Sequence, residues 1–484
     1  MLNSNFSKTP VNETKGSMKG VYKVIILLVI CLNTILVCIN IALVVFKKSE
    51  NSDNSAINGL YLTPHIKLGH IEDAQKMSRV HHPEFLYVDS YSGYLTADES
   101  TNSHLFFWYF PAAKVSTKTP LILWLNGGYG TSSLYGLFAE IGPFHPISST
   151  ELKLRQHSWH KQYNLLFIDN PVGVGYSRTQ KGHTVNEAQA GRDLYTVMRQ
   201  FYRLFPELMS NDFYIAGESY AGKYIPSLAY TIHMNNQKTK QKINFKGLII
   251  GNGFIDPINQ LNYADFLYQQ GLVDKEEADE LNATQNKCID LISNKNYTEA
   301  FKVFSDIIYG DVDFTPYGSF FANFTGFSNY YNYLIPDDTN PIKLYTEQFL
   351  NKKDVKRALH VDEDEFLLNG NKVQRSEVME SAVTWLSELL SHYRVLLFAG
   401  QLDIIVGYHN VHNFIENMSF SGDDEFMKAP RVKWHVGDDL AGYCRSAGNI
   451  TEIMVRNAGH AVPKDQPLFT LDMIDRFINN KTFN

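Results

Sequence analysis

Residues 215–222 read "IAGESYAG", and the fold turns on what Ser219 does there. A strand-like run ("DFYIAG") leads into the serine, and a helix-compatible run ("YAGKYIPSLAYTIHM") leaves it. A small-x-Ser-x-small sequence between strand and helix is the layout of a nucleophile elbow. The chain turns so sharply there that the residues two before and two after the serine must be tiny. Gly217 and Ala221 meet that demand, although the stricter pattern asks for a second glycine. Such turns also arise by chance. Ser219 alone therefore does not separate a nucleophile from a polar turn residue.

The flanking sequence supplies the context. From about residue 85 onward come apolar runs of strand length: "HLFFWYF", "PLILWLN", "NLLFIDN", "DFYIAG", "FKGLIIGNG", "YRVLLFAG" and "TEIMVRNAG". Helical patterns such as "NEAQAGRDLYTVMRQFYRLFPEL" separate several of them. This alternation predicts a mostly parallel sheet with helices on both faces, which is why the strands are apolar almost throughout. The regularity lapses over about 257–350, where Asn, Tyr and Asp are frequent and "DFTPYGSFFANFTGFSNYYNYL" has no clear period. Its aromatic content argues against disorder. The expectation is an inserted cap over the strand ends, where open α/β sheets bind ligands.

The chain has 484 residues, 44% of them hydrophobic and 13% aromatic, with no linker-like stretch and no fixed-period repeat. One large α/β core over 71–484 is expected. The first residues differ from the rest. The run "VIILLVICLNTILVCINIALVVF" at 24–46 carries no charge and has the length of a membrane-spanning helix. No small-residue cleavage site follows it, unlike a signal peptide. Four lysines precede it, and the sequence turns acidic and polar soon after Lys48. The expectation is a signal anchor over 24–46, with 1–23 as cytoplasmic tail and 47–70 as luminal stalk. That makes a single-pass type II membrane protein whose C-terminal domain is luminal or extracellular, with the membrane as one partner.

Asn282, Asn296, Asn323, Asn417, Asn449 and Asn480 each begin an Asn-x-Ser/Thr triplet and are candidate glycosylation sites. Asn5 and Asn12 match too, but fall on the expected cytoplasmic side. Cys288 and Cys444 are the two cysteines outside the apolar run; an oxidising compartment permits a disulfide between them, but the sequence does not fix it. No zinc-type cluster appears, so neither a metal nor a cofactor is expected. The net charge is −7, and the first 48 residues hold six lysines and one glutamate, leaving about −12 on the remainder. An acidic surface excludes nucleic acid as a natural partner.

A serine hydroxyl needs a base to take its proton, and that base needs a carboxylate to orient it. In the α/β-hydrolase arrangement these follow in the order Ser, Asp/Glu, His, each just after a later strand. "VLLFAGQLDIIVGY" offers Asp403 and "EIMVRNAGHAVPKDQP" offers His460. Asp403 as a helix cap and His460 as an ordinary loop histidine are the plainer readings. Order, strand-end placement and neighbouring glycines agree for all three residues, and together they outweigh those readings.

Longer blocks go further. "WLNGGYGTSSLYGLFAEIGPF" at 124–144, "FIDNPVGVGYS" at 167–177, "GESYAGKYIP" at 217–226, "IIGNGFIDP", "VKRALHV", "AGQLDIIV" and "AGHAVPKDQP" stand in one order along the chain. Over roughly residues 70–480 the sequence resembles the serine carboxypeptidases, nearest to their vitellogenic-like members. The resemblance implies an α/β-hydrolase fold with Ser219, Asp403 and His460 as catalytic triad. It implies an oxyanion hole built from the backbone amides of Gly128 and Tyr220. It also places Trp124, Asn126, Glu140 and Glu218 on the group that holds the substrate's terminal carboxylate.

Two glutamates facing a carboxylate repel it unless they are protonated, and burial and mutual repulsion both raise carboxyl pKa values. Such a pair selects free C-termini and favours acidic pH. The expected function is thus a serine-type carboxypeptidase, acting on peptides with free C-termini through an acyl-enzyme. The alternatives are an acyltransferase or esterase on the same fold, or a non-catalytic binding or protective protein. Two departures bear on rate. Tyr129 replaces the family's proline after the glycine pair, and Thr131 replaces a nearby cysteine, removing a disulfide from that loop. A less preorganised oxyanion loop is the expectation.

Overall fold

The structure, a computed structural model, describes residues 23, 28, 32, 34–37 and 58–484, except 115, 183, 185, 312–316 and 371–374. The chain divides into two units, 1–56 and 57–484. In the first, the described residues are helical. The membrane-spanning helix expected over 24–46 is corrected here: among the described residues no helix is long and apolar enough to cross a membrane. Spanning needs a continuous helix of about 20 residues as well as an apolar run. The type II placement and the membrane as partner rested on that helix and go with it. Most of 24–46, and the lysine-rich tail before it, lie outside the described residues.

In the second unit, residues from the expected stalk already pack inward: Leu62 is fully buried and its amide donates to the Tyr94 carbonyl. A ten-stranded sheet forms the centre. Its strands are β1 (Tyr91–Asp98), β2 (Ser103–Phe110), β3 (Leu121–Leu125), β6 (Asn164–Ile168), β7 (Phe213–Glu218), β8 (Phe245–Gly251), β9 (Arg394–Gly400), β10 (Val432–Val436), β11 (Asp439–Ala447) and β12 (Ile450–Val455), while β4 (Phe144–Pro146) and β5 (Leu152–Leu154) make a separate hairpin. The order across the sheet is β1-β2-β6-β3-β7-β8-β9-β12-β11-β10. The six central strands run parallel and the two at each edge antiparallel.

Alternation explains the apolar strands. Leu121, Leu123 and Leu125 enter one hydrophobic core, whereas Ile122 and Trp124 enter the other. Both faces of β3 are covered, so no position on it tolerates a polar side chain. On one face lie α1 (Glu187–Leu204) and α2 (Ala221–Asn236). Asn186 caps α1 by accepting the Gln189 amide at 2.9 Å. Cys288 is buried in the first core and Cys444 in the second; both thiols are free, so the permitted disulfide is not formed.

Between β8 and β9 the chain makes a helical excursion that includes α3 (Lys275–Ser293), α4 (Tyr297–Phe304), α5 (Phe320–Thr325) and α6 (Ile342–Leu350). A reciprocal capping box of Asp274 and Glu277 starts α3. The carboxyl ends of β3, β7, β8, β9 and β12 point to one edge of the sheet, as parallel pairing requires. The residues that follow those ends are Asn126, Ser219, Asn252, Asp403 and His460.

Candidate active site

Ser219 follows β7 directly, with a left-handed backbone at φ 61°. For a non-glycine residue this conformation is strained by about 1–3 kcal/mol and persists only when its surroundings hold it. Three hydrogen bonds do so: its amide donates to Gly251 O at 2.9 Å, and its carbonyl accepts from Gly222 N at 2.9 Å and Phe254 N at 3.0 Å. The small residues follow from packing. A Cβ on Gly217 would lie 2.1 Å from the Leu125 carbonyl oxygen and 3.1 Å from the Ala221 methyl. No larger residue fits there without moving β3.

Asp403 is fully buried, and its carboxylate is saturated by donors. Oδ2 accepts from His460 Nδ1 at 2.7 Å, Asn252 Nδ2 at 2.6 Å and Val406 N at 3.3 Å; Oδ1 accepts from Ile405 N at 3.1 Å. These bonds offset the large cost of removing a carboxylate from water. With Nδ1–H committed to Asp403, the lone pair of His460 sits on Nε2. The His460 amide donates to Tyr331 O at 2.7 Å, which fixes the loop. Ser219 and His460 line one cleft together with Asn126, Gly128, Glu218 and Tyr331. No hydrogen bond joins Ser219 to His460 in this conformation; unliganded sites often close that contact only around substrate.

Gly128 and Tyr220 flank the serine. Among the described residues neither backbone amide has an acceptor, so both remain available to an oxygen developing charge in the cleft. The Tyr220 side chain is anchored below by its hydroxyl, which donates to Glu187 Oε1 at 2.5 Å.

The polar group beside the serine is ordered by one asparagine. Asn126 Oδ1 accepts from Trp124 Nε1 and from the Gly136 amide, both at 2.8 Å. Its Nδ2 therefore faces the other way, donating to Glu140 Oε1 at 3.0 Å and Glu218 Oε1 at 3.2 Å. Glu140 is 1% exposed and Glu218 4%. Burial raises both carboxyl pKa values, and for Glu218 the Glu140 charge adds to the rise, carrying it well above the usual carboxylate range. Glu140 Oε2 and Glu218 Oε2 are buried without a donor; a proton held by the pair relieves both. Arg155 steadies the turn that carries Glu140, donating to the carbonyls of Phe138 at 2.6 Å and of Gly142 and Phe144 at 3.2 Å.

The profile of the family described as serine carboxypeptidase matches residues 81–480. The chain belongs to the serine carboxypeptidase family. It is 44% identical to the venom serine carboxypeptidase of Apis mellifera, covering 88% of this chain and 91% of that one. It is 41% identical to the vitellogenic carboxypeptidase of Aedes aegypti, covering 86% and 89%. The crystal structure of a prohormone-processing carboxypeptidase from Saccharomyces cerevisiae shares the fold, with a TM-score of 0.71 at 24% identity over 84% of this chain and 96% of that one.

Against that family background, the loop carrying Gly128 departs from expectation in how it is held. No disulfide ties it, yet it pairs with a distant segment. Gly370 N donates to Gly130 O at 2.7 Å, Ser132 N to Leu368 O at 2.8 Å, and Thr131 Oγ1 to Asn369 Oδ1 at 2.9 Å. The Tyr129 ring meets those of Tyr220 (5.9 Å), Phe301 (5.8 Å) and Tyr309 (5.7 Å), and its hydroxyl donates to Asp311 at 3.3 Å. Backbone pairing and an aromatic cluster thus stand where the family's disulfide and proline would.

Sequence reasoning missed Asn252, Tyr331, Lys343 and Lys464 at this site. Asn252 and Lys464 lay in blocks already singled out ("IIGNGFIDP" and "AGHAVPKDQP"), but an asparagine in a turn reads as a turn residue and a lysine in a loop as a solvated charge. The six Asn-x-Ser/Thr asparagines are all exposed, as accessibility to a glycosylating enzyme requires; Asn5 and Asn12 lie outside the described residues.

Proposed function

We propose that this chain hydrolyses the last peptide bond of substrates with a free C-terminus. Ser219 acts as nucleophile, His460 as base and then acid, and Asp403 as the group that orients His460. The observation that carries the reading is the buried Asn126–Glu140–Glu218 group, of which Asn126 and Glu218 line the same cleft as Ser219 and His460. A protonated glutamate pair donates to a carboxylate and repels nothing, so it distinguishes a peptide end from an internal bond or an amide.

The steps follow from the donors present. Ser219 Oγ attacks the scissile carbonyl carbon as His460 Nε2 takes its proton. The resulting oxyanion accepts from the Gly128 and Tyr220 amides. The C–N bond breaks as His460 returns the proton to the leaving amine, which departs as a free amino acid. Water, deprotonated by His460, then attacks the acyl-enzyme and releases the shortened peptide and Ser219. The excursion over about 257–350, which supplies Asn329, Tyr331 and Lys343 to the cleft wall, acts as the cap. Asn282, Asn296, Asn323, Asn417, Asn449 and Asn480 are the proposed glycan acceptors.

The test compares N-blocked dipeptides with a free carboxylate against the same peptides amidated. Acidic pH should give release of the terminal amino acid from the free acids, and little from the amides. Equal turnover of both, or hydrolysis of simple esters alone, would move the reading to an esterase.

A further inference from the structure

The cleft has a charged wall that the chemistry above does not use. Lys343, near the start of α6, and Lys464, after His460, both line it. The Lys343 ammonium lies 5.3 Å from the centroid of the Tyr331 ring and 6.0 Å from that of Tyr135. Those two tyrosines bracket the reactive groups. Tyr331 packs 5.1 Å from His460, while Tyr135 precedes Gly136, whose amide orients Asn126. Lys343 thus lines the cleft between the ring packed on His460 and the turn that orients Asn126.

The acidic groups facing these lysines are largely committed elsewhere. Asp338 is 3.9 Å from Lys343, and its other oxygen accepts the Asn340 amide at 3.2 Å. Asp465 Oδ2 accepts from Gly459 N at 2.7 Å and Asn332 Nδ2 at 3.5 Å. Among the described residues Lys464 makes no ion pair, although its charge reaches Glu218 and Lys343. Burial raises the carboxyl pKa values of both Glu218 and Glu140, so with one proton between them the pair offers a single charge rather than two. The Lys343 side chain is 43% exposed, so a ligand can reach it.

We infer that Tyr135, Tyr331, Lys343 and Lys464 form a subsite for an acidic side chain, so that peptides ending in glutamate or aspartate are preferred over their neutral counterparts. The inference rests on the carboxypeptidase reading for the position of the terminal residue. The rings pack against the methylenes of the side chain, and the ammonium groups pair with its carboxylate.

Binding separates the subsite from the chemistry. Ser219→Ala protein would be titrated with N-blocked dipeptides ending in Glu, Gln and Lys at about pH 5.5, where a peptide glutamate of ordinary pKa about 4.3 is ionised. The Glu peptide should bind about fivefold tighter than the Gln peptide, the effect of one or two partly exposed ion pairs. Lys343→Met and Lys464→Met, each made in that background, should carry the ratio toward one. Lys343→Glu should reverse the order of the Glu and Lys peptides. A melting curve would show that each variant is folded, and either lysine alone suffices for the test. Equal affinity for Glu and Gln, no binding of any peptide, or an equal loss for both peptides in the variants would overturn the subsite. The last result would mean that the lysines serve the main-chain carboxylate. Wild-type turnover of a Leu-ended peptide tests hydrolysis separately: no turnover with the Glu preference intact would strike the hydrolytic reading and leave the subsite standing.

Discussion

Glu140 and Glu218 meet at one side-chain amide: Asn126 Nδ2 donates to both, at 3.0 and 3.2 Å. The amide cannot flip away, because its oxygen already accepts from Trp124 and Gly136. The second oxygen of each glutamate is buried without a hydrogen-bond partner, and two uncompensated charges in so buried a place carry a large desolvation cost. The pair titrates as a unit, and its protonated form is the one that can donate to a substrate carboxylate.

The first prediction follows from the sign of that shift. Both pKa values lie above the ordinary 4.5, so the binding-competent form is full below that value and is lost as pH rises through the raised ones. KM for a free-acid peptide should climb over that interval. The same linkage applies to stability: the contribution of the protonated pair is present at low pH and disappears as pH rises through the folded-state values. Replacing both residues by Gln keeps a donor at each site and removes the titration. The double variant should show flatter profiles of KM and of melting temperature against pH. A wild-type KM that does not change with pH would refute the clamp.

Ser219 and the Asp403–His460 pair give a second prediction. Ser219→Ala should lose nearly all turnover with peptide affinity retained. Asp403→Asn should lower kcat by roughly 10³–10⁴-fold with KM little changed, because an amide at that position favours the wrong imidazole tautomer. Asn252→Ala should cost about tenfold, since Asp403 keeps the Ile405 and Val406 amides. Steady-state kinetics of the three variants check the ranking. Asn252→Ala as damaging as Asp403→Asn would mean that Asn252 does more than hold the carboxylate.

The parallel centre and the order Ser219, Asp403, His460 were legible because both are written locally. A strand covered on both faces must be apolar at every position, and a nucleophile elbow must have small neighbours. Edge strands β10 and β11 were not legible: in β10 the buried Trp434 stands between exposed Lys433 and His435, too short a run of apolar residues to announce a strand, and in β11 Gly442 interrupts the pattern. What holds the Gly128 loop was not legible for a different reason. Its ties to Leu368, Asn369 and Gly370 join segments far apart in sequence, and no local pattern encodes them. Reading the missing cysteine at Thr131 showed a lost constraint but could not show its substitute. The apolar run at 24–46 shows the opposite failure, since composition satisfied one requirement of a spanning helix without establishing the helix.

Gly136 supplies a third prediction. A Cβ there would fall 2.0 Å from Trp124 Nε1 and 2.7 Å from Asn126 Oδ1. Gly136→Ala must displace the indole, and overpacking of this kind costs about 1–3 kcal/mol. The displaced indole takes with it one of the two bonds that orient Asn126. Melting temperature should fall, and KM for free-acid peptides should rise more than KM for amides. A stable variant with unchanged discrimination would show that Asn126 is oriented without Trp124.

The last prediction concerns Tyr129, where the chain replaces the family's proline with a ring. Its contacts run in two directions, to Tyr220 beside Ser219 and to Phe301, Tyr309 and Asp311 in the helical excursion. Gly128, immediately before it, offers one of the two open amides, so the ring is placed to hold that amide in position. Tyr129→Phe removes the hydroxyl contact to Asp311, a partly buried hydrogen bond of about 1 kcal/mol, and keeps the ring packing. Tyr129→Ala removes both. If the ring acts as a positioning group, Tyr129→Ala should lower kcat by about tenfold or more while Tyr129→Phe stays within a fewfold of wild type. KM should change little in either, because an oxyanion donor acts on the transition state rather than on the bound peptide. Burst kinetics with an activated ester should then show slower acylation in Tyr129→Ala. A rise in KM with kcat intact would instead make Tyr129 a wall of the peptide-binding cleft. A fall in melting temperature without any change in kcat would reduce it to a packing residue.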